Sequence, residues 1–499
     1  MLLKDILKGI DIINTKGNLD IEIDNIQYDS RKVGKNGLFI CVKGFNVDGH
    51  KFIDKAIEQG AKAFLVEEDI YIEGYTFVKV KNTREDMAKV ADNFYNHPSQ
   101  RFEVIGVTGT NGKTTTNNVI CSALEAKGYS VMCNRLGANM LSGVATAYVE
   151  SATLSGRIKA DYACLEIDEA YAKIIFRQIK PDVMVLTNLF RDQLDRYGEL
   201  EGTQKLIKDA IDLVPEVTLV LNADDPVCAQ FGMQDGKKAL YYGVSEKVLD
   251  EEDGTREGRT CPVCATELSY NYMHYSQLGD FYCNACGYKR PTPDYVINNV
   301  SLASPMKFSI NGKELSVNYK GFYNVLNLSA VYTALCAVGE SVDDFEQLLC
   351  AYKPPSGRMQ EFKMNKTVVL SLSKNPAGFN QAITTVNSDV RKKDVIIAIN
   401  DGAGDGRDVS WIWDVNFDRL KNDELNTLSV TGVRRYDTAL RFKYSDITPD
   451  LLTENMQEAI DNALATDSDI VYVMVNYTAL YSTEEILKET ERRYSNNEA

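Results

Sequence analysis

Short apolar runs, each closed by glycine or a polar turn, recur along the chain. Gly37–Val42 and Lys62–Val66 read as strands, with helical spacing from Phe52 to Gly60 between them. Residues 1–97 therefore read as a small α/β unit. Further on, Val104–Thr108, Tyr162–Ile167, Val183–Leu186 and Val217–Leu221 are continuous apolar runs separated by helical segments. Strands buried on both faces have that signature, so residues 98–350 predict a parallel sheet flanked by helices. Pro354-Pro355-Ser356-Gly357 reads as a linker. A second α/β unit over 351–499 follows, with strands near Val368–Leu372, Val395–Ile399, Leu428–Val430 and Ile470–Val475.

Composition narrows the partners. The 499 residues carry a net charge of −16, which argues against nucleic-acid binding, where a basic footprint is expected. Anionic ligands then need local basic groups or Mg²⁺. No segment reaches the roughly 18 apolar residues of a membrane span, and Asp5 interrupts the start of the chain before any secretion-type apolar core. The expected location is cytoplasmic. The eleven cysteines are then expected to be mostly reduced. Cys121, Cys133, Cys164, Cys336 and Cys350 lie in apolar surroundings and read as core fillers.

The strongest chemical signal is Val104-Ile-Gly-Val-Thr-Gly-Thr-Asn-Gly-Lys-Thr-Thr-Thr116. A β-branched run enters a glycine-rich turn, and Lys113 and Thr114 open a helix expected over roughly 113–127. Such a turn aims backbone N–H groups, a helix N-terminus and one ammonium at a phosphate chain. The Thr114 hydroxyl is placed for Mg²⁺. The usual pattern has glycine where this chain has Val107, so Thr108–Thr115 is a variant phosphate loop.

Cys261-Pro-Val-Cys264 and Cys283-Asn-Ala-Cys286 are two matched knuckles with eighteen residues between them. Four thiolates saturate Zn²⁺ and leave no open position, so the expected role is a structural staple for an insert over 255–292. Asp280 and Glu267 offset Lys289 and Arg290, so no basic face stands out there. Cys164-Leu-Glu-Ile-Asp-Glu169 ends a buried-type strand in carboxylates. Glu166 and Asp168 are expected on one strand face and Glu169 on the other. Glu166 reads as a Mg²⁺ ligand; the alternative is an acidic helix start. Polar residues also follow the strands at Thr187–Gly198 and Asn222–Asp225, an edge where parallel sheets bind ligands.

These motifs together resemble the Mur ligases, ATP-dependent amide-forming enzymes of cell-wall synthesis. The resemblance rests on Thr108–Thr115, Thr187-Asn-Leu, Asn222-Ala-Asp-Asp225, Gly321-Phe-Tyr-Asn-Val-Leu-Asn327 and Gly357-Arg-Met-Gln-Glu-Phe362. It implies a three-domain α/β architecture with a phosphate-loop central domain, a zinc-ribbon insert and an α/β C-terminal domain. It also implies that ATP phosphorylates a carboxylate and an amine displaces the phosphate. Residues 98–499 resemble the MurT type, the ligase subunit of lipid II isoglutaminyl synthase, through the four-cysteine insert, Gly137-Ala-Asn-Met140, Glu166–Glu169, Lys374-Asn-Pro-Ala-Gly378 and Asp405-Gly-Arg-Asp-Val-Ser-Trp411. Residues 1–90 resemble the N-terminal domain of MurE-type ligases through Asp29-Ser-Arg31, Gly37-Leu-Phe39 and Asp48-Gly-His-Lys-Phe52.

The resemblance carries specific expectations. ATP contacts are implied at Gly109, Thr110, Asn111, Gly112, Lys113, Thr114, Thr115, Asn324 and Arg358, and Mg²⁺ at Thr114 and Glu166. Lys113 is implied as catalytic. So is Asp408, which would complete the Cys-His pair of a GatD-like glutaminase partner; the alternative is that Asp408 caps a turn or pairs with Arg407. Ser30 and His50 are implied contacts for the uridine diphosphate end of a muramyl peptide, unless that domain is only a scaffold. The common ligases have His after Asp192, where this chain has Gln193, and a carbamylated lysine where it has Ile207, with Lys205 and Lys208 only nearby. A carbamate-held second metal is therefore not expected.

The chain has three histidines and no glutaminase-type Gly-x-Cys-x-Gly elbow, so its ammonia would come from a partner or from solution. The leading expectation is amidation of the stem-peptide D-glutamate α-carboxylate of lipid II to D-isoglutamine. A second is addition of an amino acid to a uridine-diphosphate-linked muramyl peptide. The absent Asp-Asn-Pro-Arg element counts against it. A third is a non-catalytic ATP-binding scaffold.

Overall fold

The computed structural model describes residues 1–43, 48–95, 102–135, 138–153, 158–190, 200–234, 236–249, 258–350, 352, 357–402 and 404–497. Internal contacts divide the chain into two compact units. One comprises Met1–Glu103, Tyr148–Asp161 and Ile174–Lys180; the other comprises Val104–Ala147, Tyr162–Lys173 and Pro181–Ala499.

The first unit is built on a five-stranded sheet in the order Ile12–Lys16, Thr76–Val80, Ala61–Val66, Gly37–Ile40, Asn25–Gln27. Its inner strands are apolar on both faces. Leu38, Ile40, Ala63, Leu65 and Val78 join one cluster, while Phe39, Phe64, Val66 and Phe77 join the other, the alternation that a pleated strand imposes.

The second unit carries a nine-stranded sheet in the order Lys313–Val317, Met306–Ile310, Tyr295–Ser301, Lys238–Val244, Thr218–Asn222, Val183–Leu186, Glu103–Thr108, Tyr162–Glu166, Val131–Cys133. The expected parallel sheet is present, but its far edge is antiparallel at Tyr295–Val317. Those strands alternate polar and apolar residues because they lie at the sheet's margin, so no continuous apolar run announces them. Strand order reverses at Glu103–Thr108. It lies between strands that follow it on either side, which makes its C-terminal end the place where a crevice opens.

The phosphate-loop helix Lys113–Ala126 packs on Phe322–Ala337. The latter is buried nearly all round, through Val325, Leu328, Val331 and Leu335 among others, so it shows no amphipathic stripe. The same helix–strand packing brings Cys121 and Cys133 to a Cα separation of 6.8 Å and pairs them as a disulfide. This corrects the expectation of two separate core thiols. The turn between helix and strand is short enough to set the two side chains face to face. Cys164 is a buried free thiol and Cys336 a half-buried one; the Cys350 side chain lies outside the described residues.

A six-stranded sheet completes this unit, in the order Arg358–Lys363, Thr367–Leu372, Ile470–Val475, Lys393–Ala398, Leu425–Thr431, Leu451–Leu452. Only the first pair is antiparallel. Helices cover both faces, and each face has its own apolar cluster. Most of the expected linker, residues 354–356, lies outside the described residues. Among the described residues no helix is long and apolar enough to cross a membrane.

Candidate active site

The glycine-rich turn sits at the end of Glu103–Thr108, at the reversal of strand order. Gly109 and Gly112 both take left-handed backbone (φ +124° and +85°), which L side chains rarely adopt. A Cβ on Gly112 would collide with the Asn327 amide, and one on Gly109 with the Thr187 hydroxyl.

The turn is seated on the polar loop that follows Val183–Leu186. Asn188 accepts the Thr110 N–H through its carbonyl (2.8 Å) and the Asn111 N–H through Oδ1 (2.9 Å). The Thr187 hydroxyl and the Asn188 Nδ2 both donate to the Asn111 carbonyl, at 2.7 and 3.0 Å. The Phe190 N–H donates to the Thr110 hydroxyl, which donates in turn to the Phe190 carbonyl. The N–H groups of Thr110 and Asn111 are thus engaged within the protein. The N–H groups left for a ligand are those of Lys113, Thr114 and Thr115, which precede the first bond of the helix, from the Thr116 N–H to the Gly112 carbonyl at 2.9 Å.

Lys113 and the acidic strand end meet directly. The Lys113 Nζ lies 3.0 Å from both Glu169 carboxylate oxygens and donates to the Gly109 carbonyl. Burial alone would push the ammonium down, yet Glu169, Asp168 and Glu166 together hold it above its ordinary pKa. Burial pushes Glu169 up, with Lys113 opposing. Glu169 is not on the opposite strand face, as alternation had implied. The strand ends at Glu166, and the chain then turns so that Glu166, Asp168 and Glu169 all act on one lysine.

Glu166 Oε1 receives the Thr114 hydroxyl at 3.2 Å and the Asn139 amide at 3.0 Å. Its Oε2 is buried with no hydrogen-bond partner. Asn134 fixes the Glu166 backbone by bonding both its N–H and its carbonyl at 2.8 Å. An unpartnered carboxylate oxygen beside a threonine hydroxyl is an oxygen-rich pair that can hold a divalent cation.

A cavity of about 410 Å³ opens over this centre, a size suited to a small-molecule ligand. Lys113, Thr114, Thr115, Glu166, Asp168, Asn324 and Arg358 line it. The six-stranded domain supplies part of its wall through Arg358, Lys374, Ala377 and Gly378. Asn111 and Asn375 exchange side-chain amide hydrogen bonds at 3.3 and 3.1 Å. Asn375 also caps the helix Pro376–Asn387 by accepting the Gly378 N–H. Asn324 bonds the Lys320 carbonyl and receives the Asn327 amide.

The four cysteines converge. Cys261 and Cys286 sulfurs are 3.5 Å apart, as are those of Cys264 and Cys283, and all four lie within 4.8 Å of one another. Tetrahedral Zn²⁺ with ~2.3 Å bonds separates its sulfurs by about 3.8 Å, so the cluster fits that ion. Hydrogen bonding to Thr266 pulls the Cys264 thiol down, toward the thiolate a metal needs, while burial pushes Cys261 up and Cys286 is also raised. The hairpin Ser269–Tyr275/Leu278–Tyr282 above it docks on the Asn222–Asp225 loop. There Arg290 forms a buried ion pair with Asp224 at 2.6 Å. Next to this pair His274 is buried against Phe322, and its ring nitrogens lack well-formed hydrogen bonds.

Three expected residues sit elsewhere. Asp408 is exposed, does not line the cavity, and accepts the Ser410 N–H (2.8 Å) at the start of the 3₁₀ turn Ser410–Asp414. In the first unit Ser30 is buried. The His50 Nδ1 lies 2.6 Å from Asp48, and its Nε2 accepts the Glu67 N–H at 3.0 Å. His50 therefore braces its own domain and leaves no ring nitrogen for a ligand. Gly137, Asp192, Gln193 and Gly198 lie outside the described residues. The sequence reading gave no site role to Asn139, Asn188, Tyr275, Asn327 or Asn375. Four of the five fall in, or directly beside, motifs it did single out; Tyr275 had no such signal.

Comparisons with known proteins agree on the family. A family model described as Mur ligase middle domain matches residues 107–284. Another, described as Mur ligase family, catalytic domain, matches residues 22–100. A third, described as MurT ligase C-terminal, matches residues 372–480. The lipid II isoglutaminyl synthase (glutamine-hydrolyzing) subunit MurT of Staphylococcus aureus (strain COL) is 34% identical over 383 residues, covering 76% of this chain and 85% of the relative. The chain belongs to the Mur ligase family. It is thereby an ATP-dependent ligase.

A second Mur ligase relative is the UDP-N-acetylmuramoyl-L-alanyl-D-glutamate–2,6-diaminopimelate ligase of Clostridioides difficile (strain 630). It is 32% identical over 424 residues, covering 82% of this chain and 78% of the relative. Two solved MurF structures share the fold. That from Acinetobacter baumannii has a TM-score of 0.64 at 16% identity, covering 95% of this chain and 94% of its own. That from Thermotoga maritima, in complex with ADP, has a TM-score of 0.62 at 19% identity, covering 95% and 98%.

Two outcomes follow from this geometry. Gly112→Ala must strain the left-handed turn and displace Asn327, so calorimetry should find nucleotide binding weakened by at least about tenfold, with thermal unfolding lowered only modestly. His274 is held below its ordinary pKa mainly by burial; Asp224 and Glu246 oppose this and Arg290 adds to it. The unfolded chain then takes up the proton first, and stability drains away as pH falls below about 6.5. Thermal midpoints measured from about pH 7 down to about 5.5 should fall more steeply for the natural chain than for His274→Phe.

Proposed function

We propose that this Mur ligase is the ATP-using subunit of a two-part amidase of cell-wall precursors, converting the α-carboxylate of the stem-peptide D-glutamate of lipid II to D-isoglutamine. We take it as three domains, 1–97, 98–350 and 351–499. The observation that carries the reading is the meeting of the phosphate loop with the MurT-type C-terminal segment, where Asn111 clasps Asn375 and Lys374 to Gly378 roof the cavity. The similarity to the MurT subunits of Staphylococcus aureus and Streptococcus pneumoniae supports it.

The residues divide the work as follows. Lys113 and the helix N-terminus neutralise the phosphate chain. Arg358 and Lys374 add positive charge on the opposite wall. Thr114 and Glu166 would hold Mg²⁺, which supplies charge neutralisation at the transferring phosphoryl group. A substrate carboxylate oxygen takes the terminal phosphoryl group with departure of ADP. The nitrogen lone pair of ammonia then attacks the acyl carbon, phosphate leaves with the bonding electrons, and nitrogen loses a proton. Enclosure by both domains keeps water from the mixed anhydride. Cys261, Cys264, Cys283 and Cys286 would hold Zn²⁺ structurally.

A GatD-like glutaminase is the proposed source of ammonia. Asp408 stands on the exposed turn that carries Trp413, which packs edge-on against the exposed Tyr444 at 5.2 Å. This aromatic surface suits a protein partner, whose catalytic histidine Asp408 would orient. A second acceptor is favoured by one observation. Residues 22–100 match the model described as Mur ligase family, catalytic domain, and one relative is named a UDP-N-acetylmuramoyl-L-alanyl-D-glutamate–2,6-diaminopimelate ligase, which together support a uridine-diphosphate-linked acceptor held in part by Ser30.

Product mass tests the reading: amidation exchanges OH for NH₂, whereas amino-acid ligation adds a whole residue. With ammonium as nitrogen source, Lys113→Ala should lower product formation by at least about a hundredfold; full activity would overturn the enzyme reading. In the complex with the glutaminase, Asp408→Asn should cut glutamine-driven amidation while ammonium-driven amidation stays at the natural rate. Equal loss with both nitrogen sources would remove Asp408 from the partner's chemistry.

A further inference from the structure

The four-cysteine insert does more than fold itself. Its hairpin turns at Ser276-Gln277, two polar residues whose counterparts in most hairpins face water. Here both are buried, at 6% and 2% exposure. The Gln277 Nε2 donates to the Leu189 carbonyl at 2.8 Å and lies 3.4 Å from Asp225 Oδ1. Asp225 in turn accepts the Leu189 N–H at 2.8 Å. Leu189 stands between Asn188 and Phe190, the two residues that grip Thr110 and Asn111 of the phosphate loop. One residue before the turn, Tyr275 reaches the cavity wall, packed between Phe190 and Phe322 at 5.8 and 6.2 Å.

We infer that the insert is a working part of the nucleotide cavity, so that metal loading at the four cysteines and nucleotide affinity are thermodynamically coupled. Gln277 is a positioning residue that acts through Leu189, and Tyr275 supplies an aromatic wall. An isolated two-stranded hairpin has little stability of its own. Its tip can hold register only while its base is clamped, and the cysteines at 261, 264, 283 and 286 are that base. The far side is anchored independently, by Arg290 on Asp224 and by the Tyr288 hydroxyl on the Pro226 carbonyl at 2.6 Å. Releasing the metal frees the tip and loosens the seat of the phosphate loop. Coupling of this kind is reciprocal, so nucleotide must also retain the metal.

The inference rests on nucleotide binding in this cavity, and the experiment separates the two. Zinc release from the full chain to a chromogenic chelator is followed with and without Mg-ADP, and ADP affinity is measured by calorimetry. Saturating Mg-ADP should slow zinc release severalfold. Gln277→Ala and Tyr275→Ala should each weaken ADP about tenfold, while Asn271→Ala, on the exposed face of the same hairpin, keeps natural affinity. A natural chain that binds ADP yet releases zinc at one rate with or without it would overturn the coupling. That measurement needs no variant to fold. No ADP binding by the natural chain would instead sink the nucleotide reading, and the coupling with it.

Discussion

Thr110 and Asn111 surrender their backbone donors, and Asn111 its carbonyl, to the loop Thr187–Phe190. Everything at this centre depends on that seating. A glycine-rich turn in left-handed backbone has no rigidity of its own, because glycine carries the largest conformational entropy of any residue. The turn is rigid here because a second strand end, one position over in the sheet, meets its polar atoms one for one. The second loop is braced in turn, with its Thr187 carbonyl bound by the Asn222 amide and its Leu189 N–H by Asp225. Three successive strand ends thus form one polar scaffold, with apolar strands behind it fixing their spacing.

Charge is balanced on the same scaffold. Glu166, Asp168 and Glu169 surround Lys113 with more negative charge than one ammonium can offset. An excess of carboxylate is hostile to a phosphate chain unless a divalent cation arrives with it, and the bare Oε2 of Glu166 marks where such a cation would be received. The basic residues of the opposite wall, Arg358 and Lys374, come from the six-stranded domain. Neither domain alone therefore presents a surface that suits a polyphosphate.

Much of this was legible in the residues, for physical reasons. Val183–Leu186 and Ile470–Val475 are strands with the bounds their apolar runs implied, because central parallel strands are covered on both faces. The helix opened by Lys113 was legible from the turn that precedes it. The margins were not. Tyr295–Ser301 and Lys313–Val317 mix polar and apolar residues, and periodicity cannot tell such strands from loops. Glu169 was assigned to the wrong side because alternation was carried three residues past the end of its strand. The Cys121–Cys133 pairing depends on how a helix returns to a strand, which spacing does not encode. Tyr275 lay in a segment read as a staple, and nothing in its neighbours marks it as part of a cavity wall.

The Lys113–Glu169 pair has a bearing on which anions this lysine can accept. Its ammonium is already satisfied by a carboxylate and a carbonyl, both shielded from solvent. Inorganic phosphate, sulfate or a carboxylic metabolite that reaches Lys113 must displace Glu169 with Glu166 and Asp168 close by. A divalent cation arriving with the anion would offset that carboxylate charge. The carboxylate partner thus raises the threshold for any bare anion at this lysine, before any contact with a sugar, base or peptide.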